Sequence, residues 1–526
     1  MKTQWTKRIC ILILAIAMLL GSLALVSCGD RDGSGDPSQT TAKNPNGDPL
    51  VTDAPMTGEE LEYLPEEKNY KNYDFLLAAP KGGQDVYGAA HYCHLEGAED
   101  VINRALHDRE LLMQDKFGVV MSLDTSRSMG DLQANLAKLF KSESAPADLV
   151  FNTAQNSFLA AVAGQIWNLN ALDELNLEAS YYDQRIQQNF RIGDALFMIT
   201  GDYEVLDELV TFGVLYNDKV YKDLLYYENE DYGSPYQMVR DYKWTYSAMM
   251  EMAANYTLDN DGVEGMSQTD RWGIVSEGQA VYYMFLGSGF IPMENQDGEL
   301  SLNLQDGTYY DNVITILQDL LNFATNENVL LANDIQKVGD KTNFDIASDI
   351  FEENRALFRH TSLSDALYCA EMESDFGILP VPMYDANQKA YYSMVNSNAA
   401  WPLTIPYFVK DVARTATVVE ALSYYSRYGG DESLYEAFFE RLTLAKICRK
   451  PDDRAMLIMI FNNKIYDVDQ VFPGAMSLHT TIASMANSKK GSDGLTGTID
   501  SKLESVSKTI PGYYDMMIMQ AENQKR

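Results

Sequence analysis

Positive charge is scarce in this chain. Its 526 residues carry 41 Lys plus Arg against 76 Asp plus Glu, a formal charge of −35. So acidic a body is repelled by phosphate backbones and by anionic lipid headgroups, which excludes a nucleic-acid partner. Cysteine is scarce too, with five in all: Cys10, Cys28, Cys93, Cys369 and Cys448. Thiols this few and this far apart exclude a disulfide-framed small domain, although one bridge among the last three stays open. His91, Cys93 and His94 lie close together, but their spacing fits no structural zinc pattern and we read a polar loop with a buried thiol. There is no Gly-x-Ser-x-Gly elbow, no His-Glu-x-x-His and no P-loop, so the commonest hydrolase and nucleotide signatures are missing. Internal repeats are absent as well, which excludes a solenoid.

What is present begins at the N-terminus. Lys2, Lys7 and Arg8 precede an apolar run from Ile9 to Leu20, and Leu25-Val26-Ser27-Cys28 follows. That order predicts a secretory signal over residues 1–27. The last four residues resemble the lipobox of bacterial lipoproteins, which implies lipidation at Cys28 and a place on the extracytoplasmic face of the cell membrane, held by the lipid alone. The alternative is an uncleaved anchor helix, since Ile9 to Val26 approaches the roughly 20 apolar residues of a membrane span. Removing Lys2, Lys7 and Arg8 with the signal takes the charge from −35 to −38. Residues 28–69 are rich in Asp, Gly, Ser, Thr, Asn and Pro, and predict a disordered tether.

The apolar fraction of 46% permits a large interior, and the length predicts at least two lobes. Tyr73 to Ala79 reads as a buried strand, Asp100 to Phe117 as a helix, Val119 to Leu123 as a second strand, Asp131 to Phe140 as a helix and Asp148 to Phe151 as a third strand. Strand alternating with helix is the pattern of a parallel α/β sheet, whose ligands bind at the carboxyl ends of the strands. Farther on, Val313, Ile316, Leu317, Leu320 and Leu321 recur at helical spacing within Tyr310 to Phe323. Thr245 is a good N-cap for Tyr246 to Tyr256, and Trp244 reads as a core staple before it.

Several stretches together resemble family 1 extracellular solute-binding proteins, the sugar-capturing lipoproteins of ABC importers. They are Phe117-Gly118-Val119, Ala147 to Phe151, Gly164 to Asp173, Leu196 to Tyr203, Gly213 to Tyr221, Tyr242 to Thr245, Phe351 to Phe358 and Asp375 to Pro382. The resemblance runs from about residue 71 to the C-terminus and is weakest at its end. It implies an α/β, two-lobe periplasmic-binding-protein-like fold with a ligand cleft between the lobes and hinge crossovers. Lobe one is expected at 70–197 plus 381–445, and lobe two at 198–380 plus 446–526. The loop Thr257 to Asp270 is similar to an EF-hand-like loop of the family. Aligned on Gly262, however, Thr257 and Gln268 stand where acids belong, so we read an Asx-rich turn and no metal site.

The function implied is capture of a carbohydrate, an oligosaccharide above all, by lobe closure and its delivery to ABC permease subunits. Neither a catalytic residue nor a cofactor is expected, and the protein is expected to be a monomer. Strand ends and crossovers nominate Tyr87, Asn152, Thr153, Gln155, Asp202, Tyr203, His360 and Trp401 as ligand-binding residues. Aromatic faces suit the C–H faces of sugars, and amides and carboxylates suit their hydroxyls. Two alternatives stay open: a secreted glycan hydrolase with a carboxylate pair such as Asp202/Glu204 or Glu352/Glu353, and a surface glycan-binding lipoprotein without a transporter.

Overall fold

The alternation of strand and helix read from the sequence is present from Tyr73 onward. The computed structural model describes residues 65–81, 92–97, 100–260, 262–430 and 432–524, all within one compact unit, Gly47–Arg526. Cys28, Tyr87, His91, the signal segment and nearly all of the expected tether lie outside the described residues. Strand β1 (Tyr73–Pro80) is followed by α1 (Val101–Phe117), β2 (Val119–Arg127), α2 (Met129–Phe140), β3 (Leu149–Phe151) and α3 (Ala154–Val162). Next come α4 (Gln184–Phe190), the single turn α5 (Leu206–Leu209), β4 (Phe212–Asn217), α6 (Tyr246–Ala254), β5 (Trp272–Ser276) and α7 (Ala280–Gly287). A hairpin of β6 (Met293–Gln296) and β7 (Glu299–Leu302) leads into α8 (Gly307–Phe323), β8 (Val329–Leu331), β9 (Ala356–Ser362) and β10 (Phe376–Leu379). The chain closes with β11 (Ser393–Met394), β12 (Leu403–Thr404), α9 (Val412–Tyr428), β13 (Lys464–Ile465), α10 (Val468–Val471), α11 (Leu478–Ser488) and α12 (Leu495–Asn523).

Two sheets organise these elements. The first has the order β12-β3-β1-β2, with β1 parallel to β2 and β3, and β12 antiparallel to β3. Strand β2 continues past the expected Leu123 to Arg127, because its pairing with β1 runs on to Pro80 opposite Arg127 and carries its polar end along. The second sheet has the order β10-β4-β9-β5-β8; β5 lies parallel to β8 and β9, while β4 runs antiparallel to β9 and β10. One continuous apolar cluster takes Phe75, Leu77 and Phe151 from the first sheet and Ile274 and Phe358 from the second. Each such fully buried side chain contributes roughly 1.5–3 kcal/mol, so the two sheets stabilise one another.

Local signals behave as their chemistry predicts. Val313, Ile316, Leu317, Leu320 and Leu321 are all buried on one face of α8. Thr245 Oγ1 accepts from the Ala248 N–H (3.3 Å) at the start of α6, and the buried Trp244 donates Nε1–H to the Pro380 carbonyl (2.8 Å). In the Asp-rich loop, the fully buried Asp270 carboxylate accepts from the backbone of Asn260 (2.9 Å) and Ser267 (2.8 Å). Its oxygens thus close a turn. Cys93, Cys369 and Cys448 are all free thiols, the first two buried, so the one bridge left open does not form.

Candidate ligand cleft and hinge

Three chain segments connect the two sheets, and they meet side by side. The first is Ile199–Thr211, bridged to Leu403 at one end and to Val395 at the other. The second, β11, pairs in parallel with the third, β13. Where they touch, Lys464 Nζ lies 2.7 Å from Asp183, 2.8 Å from Asp207 and 3.3 Å from Glu208. The Tyr466 hydroxyl donates to Asp207 (2.5 Å), and the buried Glu204 accepts from the Leu206 N–H. Burial works against charge at Glu204, Asp207, Glu208, Lys464 and Tyr466. It raises the Glu204 and Glu208 carboxyls well above the usual range, helped by the Asp207 charge beside them. At Asp207 burial is overridden by the Lys464 ammonium, so this carboxyl falls below the ordinary value. At Lys464 burial is likewise overridden, by Asp183, Asp207 and Glu208, and the ammonium is held well above its ordinary value. The crossing point is therefore a low-dielectric ionic joint with a single lysine among four acids.

The carboxyl ends of the first sheet carry the next group. Asn152 follows β3; its Oδ1 accepts from the Thr153 N–H (2.9 Å) and the Asn156 Nδ2–H (3.0 Å), and its Nδ2 donates to the Met129 carbonyl (3.3 Å). Thr153 caps α3 through the Asn156 N–H (3.2 Å), and Gln155, two residues on, is exposed. Beside them Tyr92 stacks on Phe151 with ring centroids 4.0 Å apart, and its hydroxyl donates to the Trp401 carbonyl (3.2 Å). Tyr203 also packs against Phe151 with ring centroids 6.1 Å apart, donates to the Ile199 carbonyl (2.6 Å), and offers its own carbonyl to Arg109 (2.6 Å). The buried Trp401 indole N–H has no partner among the described residues. Asp202 pairs with Arg427 (2.7 Å); burial lifts its carboxyl to about 6 despite the guanidinium.

His360 lies in the other sheet, fully buried near the carboxyl end of β9. Its ring meets Phe212 edge-on, its Nδ1 is 3.5 Å from Ser276 Oγ, and its Nε2 has no partner among the described residues. Burial first, and the neighbouring Arg359 second, lower its pKa to about 3, so the imidazole is neutral. Glu277, directly after β5, sits in the same corner. Its carboxylate accepts from Thr361 Oγ1 and Gln279 Nε2 at 3.5 and 3.4 Å, and burial pushes it up to about 7 against the pull of Arg359. Sequence reasoning passed over both Glu277 and Tyr92. The strand-end rule that selected His360 also points to Glu277, whereas nothing local marks Tyr92.

The nominated residues thus fall into three places: Asn152, Thr153 and Gln155 at the head of α3; Asp202, Tyr203 and Trp401 around the first crossing; and His360 on the second sheet. No family model and no curated protein matches the chain. Solved structures do. A cyclo/maltodextrin-binding protein complexed with maltotetraose superposes with a TM-score of 0.52 at 12% identity, covering 82% of this chain and 98% of its own. An ABC substrate-binding protein from Listeria monocytogenes in complex with cycloalternan gives a TM-score of 0.50 at 11% identity, covering 84% and 99%. The chain has the two-lobe periplasmic-binding-protein fold. In that fold each sheet is the centre of one lobe, which makes the crossing point around Lys464 the candidate hinge and the strand ends bearing Asn152 and Glu277 the candidate borders of a cleft.

Proposed function

We propose that this chain is the extracytoplasmic solute-binding component of an ABC importer, capturing a carbohydrate by lobe closure and handing it to permease subunits. The observation that carries the reading is the pair of strand-end faces, one per lobe, joined through a three-segment hinge. Ligand enclosed between them makes contacts with the second lobe only on closure, which favours the closed state. The buried nitrogens of Trp401 and His360, unpartnered among the described residues, are the groups a sugar hydroxyl would satisfy. Tyr87, Asn152, Thr153, Gln155, Asp202, Tyr203, His360 and Trp401 remain the proposed contacts, and Glu277 and Tyr92 join them. We assign lobe one to 70–197 with 381–445 and lobe two to 198–380 with 446–526. Cys28 is the proposed lipid attachment site and the body a monomeric binder without catalysis.

The test is isothermal calorimetry against maltotetraose, cycloalternan and maltose, paired with small-angle scattering. Capture predicts one-to-one binding, unchanged sugar and a smaller radius of gyration. Cleavage products would replace the reading with a hydrolase, and binding without compaction would replace it with a rigid surface lectin. For the anchor, Cys28→Ala is expected to release an intact body from the membrane fraction; retention would point to an uncleaved helix.

A further inference from the structure

The hinge is not the only place where the lobes are joined. Hairpin β6–β7 grows from the second lobe, where Tyr309 at the start of α8 grips its base through both the Ile291 N–H (2.7 Å) and carbonyl (3.0 Å). Its tip reaches the first lobe. The Gly193 N–H donates to the Gly298 carbonyl (2.8 Å), and Asn295 Nδ2 donates to the Arg191 carbonyl. Both glycines have positive φ, +56° and +90°, and a Cβ on Gly298 would overlap the Gly193 backbone. A residue with a Cβ at position 298 could not come this close.

Helix α12 runs over the same junction. Its 29 residues span about 44 Å at 1.5 Å per residue, enough to touch both lobes. The first half is tied to the second lobe: Asp500 accepts from the Tyr310 hydroxyl (2.5 Å), and Ser507 Oγ accepts from Gln305 (3.3 Å). The last turns are tied to the first lobe. Buried Gln524 accepts from the Asn168 N–H (2.5 Å) and donates to the Ile166 carbonyl (3.0 Å), while Ile518 covers Gly193. Between them Tyr514 donates to the Gly298 carbonyl (3.1 Å), locking helix to hairpin tip. Pro511 and Gly512 fall between the two sets of attachments. Pro511 has no N–H to give the Ser507 carbonyl, and Gly512 stiffens the helix least, so α12 bends most easily there.

We propose that the β6–β7 tip and α12 form a clasp between the lobes that sets how far they open, with Pro511–Gly512 as its flexure. The inference rests on the two-lobe fold and not on what the cleft binds. The hydrogen bonds that hold the first lobe are few, at the tip and at Gln524, and beside them α12 buries Met517 and Ala521.

The test needs no ligand. Nitroxide labels on an unnatural ketone side chain at the exposed positions Ser122 and Val338 report the interlobe distance in the full-length protein by double electron–electron resonance, leaving the native thiols alone. Gly298→Val drives a side chain into Gly193, and Gln524→Ala removes the two terminal hydrogen bonds. Each is expected to broaden the distance distribution at least about twofold toward longer values, whereas Pro511→Ala, which restores the helical hydrogen bond, is expected to narrow it. Should Gly298→Val fail to fold, Gln524→Ala decides alone. Distributions identical to the parent in the folded variants, even with a lowered melting temperature, would overturn the proposal and leave these contacts as packing only.

Discussion

Glu277 and Lys464 are opposite answers to the same problem, charge taken out of water. Glu277 finds hydroxyl and amide donors at long distance and is held near a pKa of 7, so folding favours its protonated form. The sign follows: between its ordinary value of 4.5 and about 7 the folded state binds more protons than the unfolded one, and stability falls as pH rises through that window. Glu277→Gln is therefore expected to raise the melting temperature at pH 8, by the equivalent of up to about 3 kcal/mol, and to change little at pH 4.5; thermal melts at the two pH values check it. Lys464 is instead fully engaged. Lys464→Met would leave the buried Asp207 and the partly buried Asp183 without their cation, at an expected cost of about 3–5 kcal/mol in urea denaturation at pH 7. Lys464 was not legible in the sequence, since it meets Asp207 from 257 residues away; Glu277 was marked only by its place at a strand end, one acid among 76.

At the scale of elements, what could be read was what is local. Helix α8 announces itself by spacing, and Thr245 by its chemistry at the head of α6. Leu317→Ala should create a cavity costing about 2–5 kcal/mol, measurable in the same denaturation assay. Thr245→Ala, which only unties a cap, should cost about 1 kcal/mol. The short strands where the crossing segments meet were not legible. Strands β11, β12 and β13 have two residues each, too short for any period, and exist because distant segments lie beside them. The β6–β7 hairpin is a different case. Asp297-Gly298, both with positive φ, is a standard two-residue hairpin turn, and the Asp-Gly pair in Gln296-Asp297-Gly298-Glu299 marks it in the sequence.

For the whole molecule, the two sheets share one apolar cluster, so the lobes are not independent folding units. Calorimetry is expected to show a single unfolding transition; two resolved transitions would contradict the shared core. The resemblance read from the sequence carried the two-lobe architecture correctly, because that architecture is written in the order of strands and helices. The route by which the C-terminal segment touches both lobes was not carried, since α12 is placed by single residues such as Gln524 against backbone far away in sequence. The free thiols turn this architecture into a clock. Cys93 is buried in the apolar cluster that includes the first sheet and Cys369 in a cluster around the second, and burial pushes both thiols above their ordinary pKa. Neither can react with an alkylating reagent until its own lobe loosens. Their two labelling rates, read side by side by mass spectrometry, therefore time the local opening of each half of the protein separately, with no probe added to it.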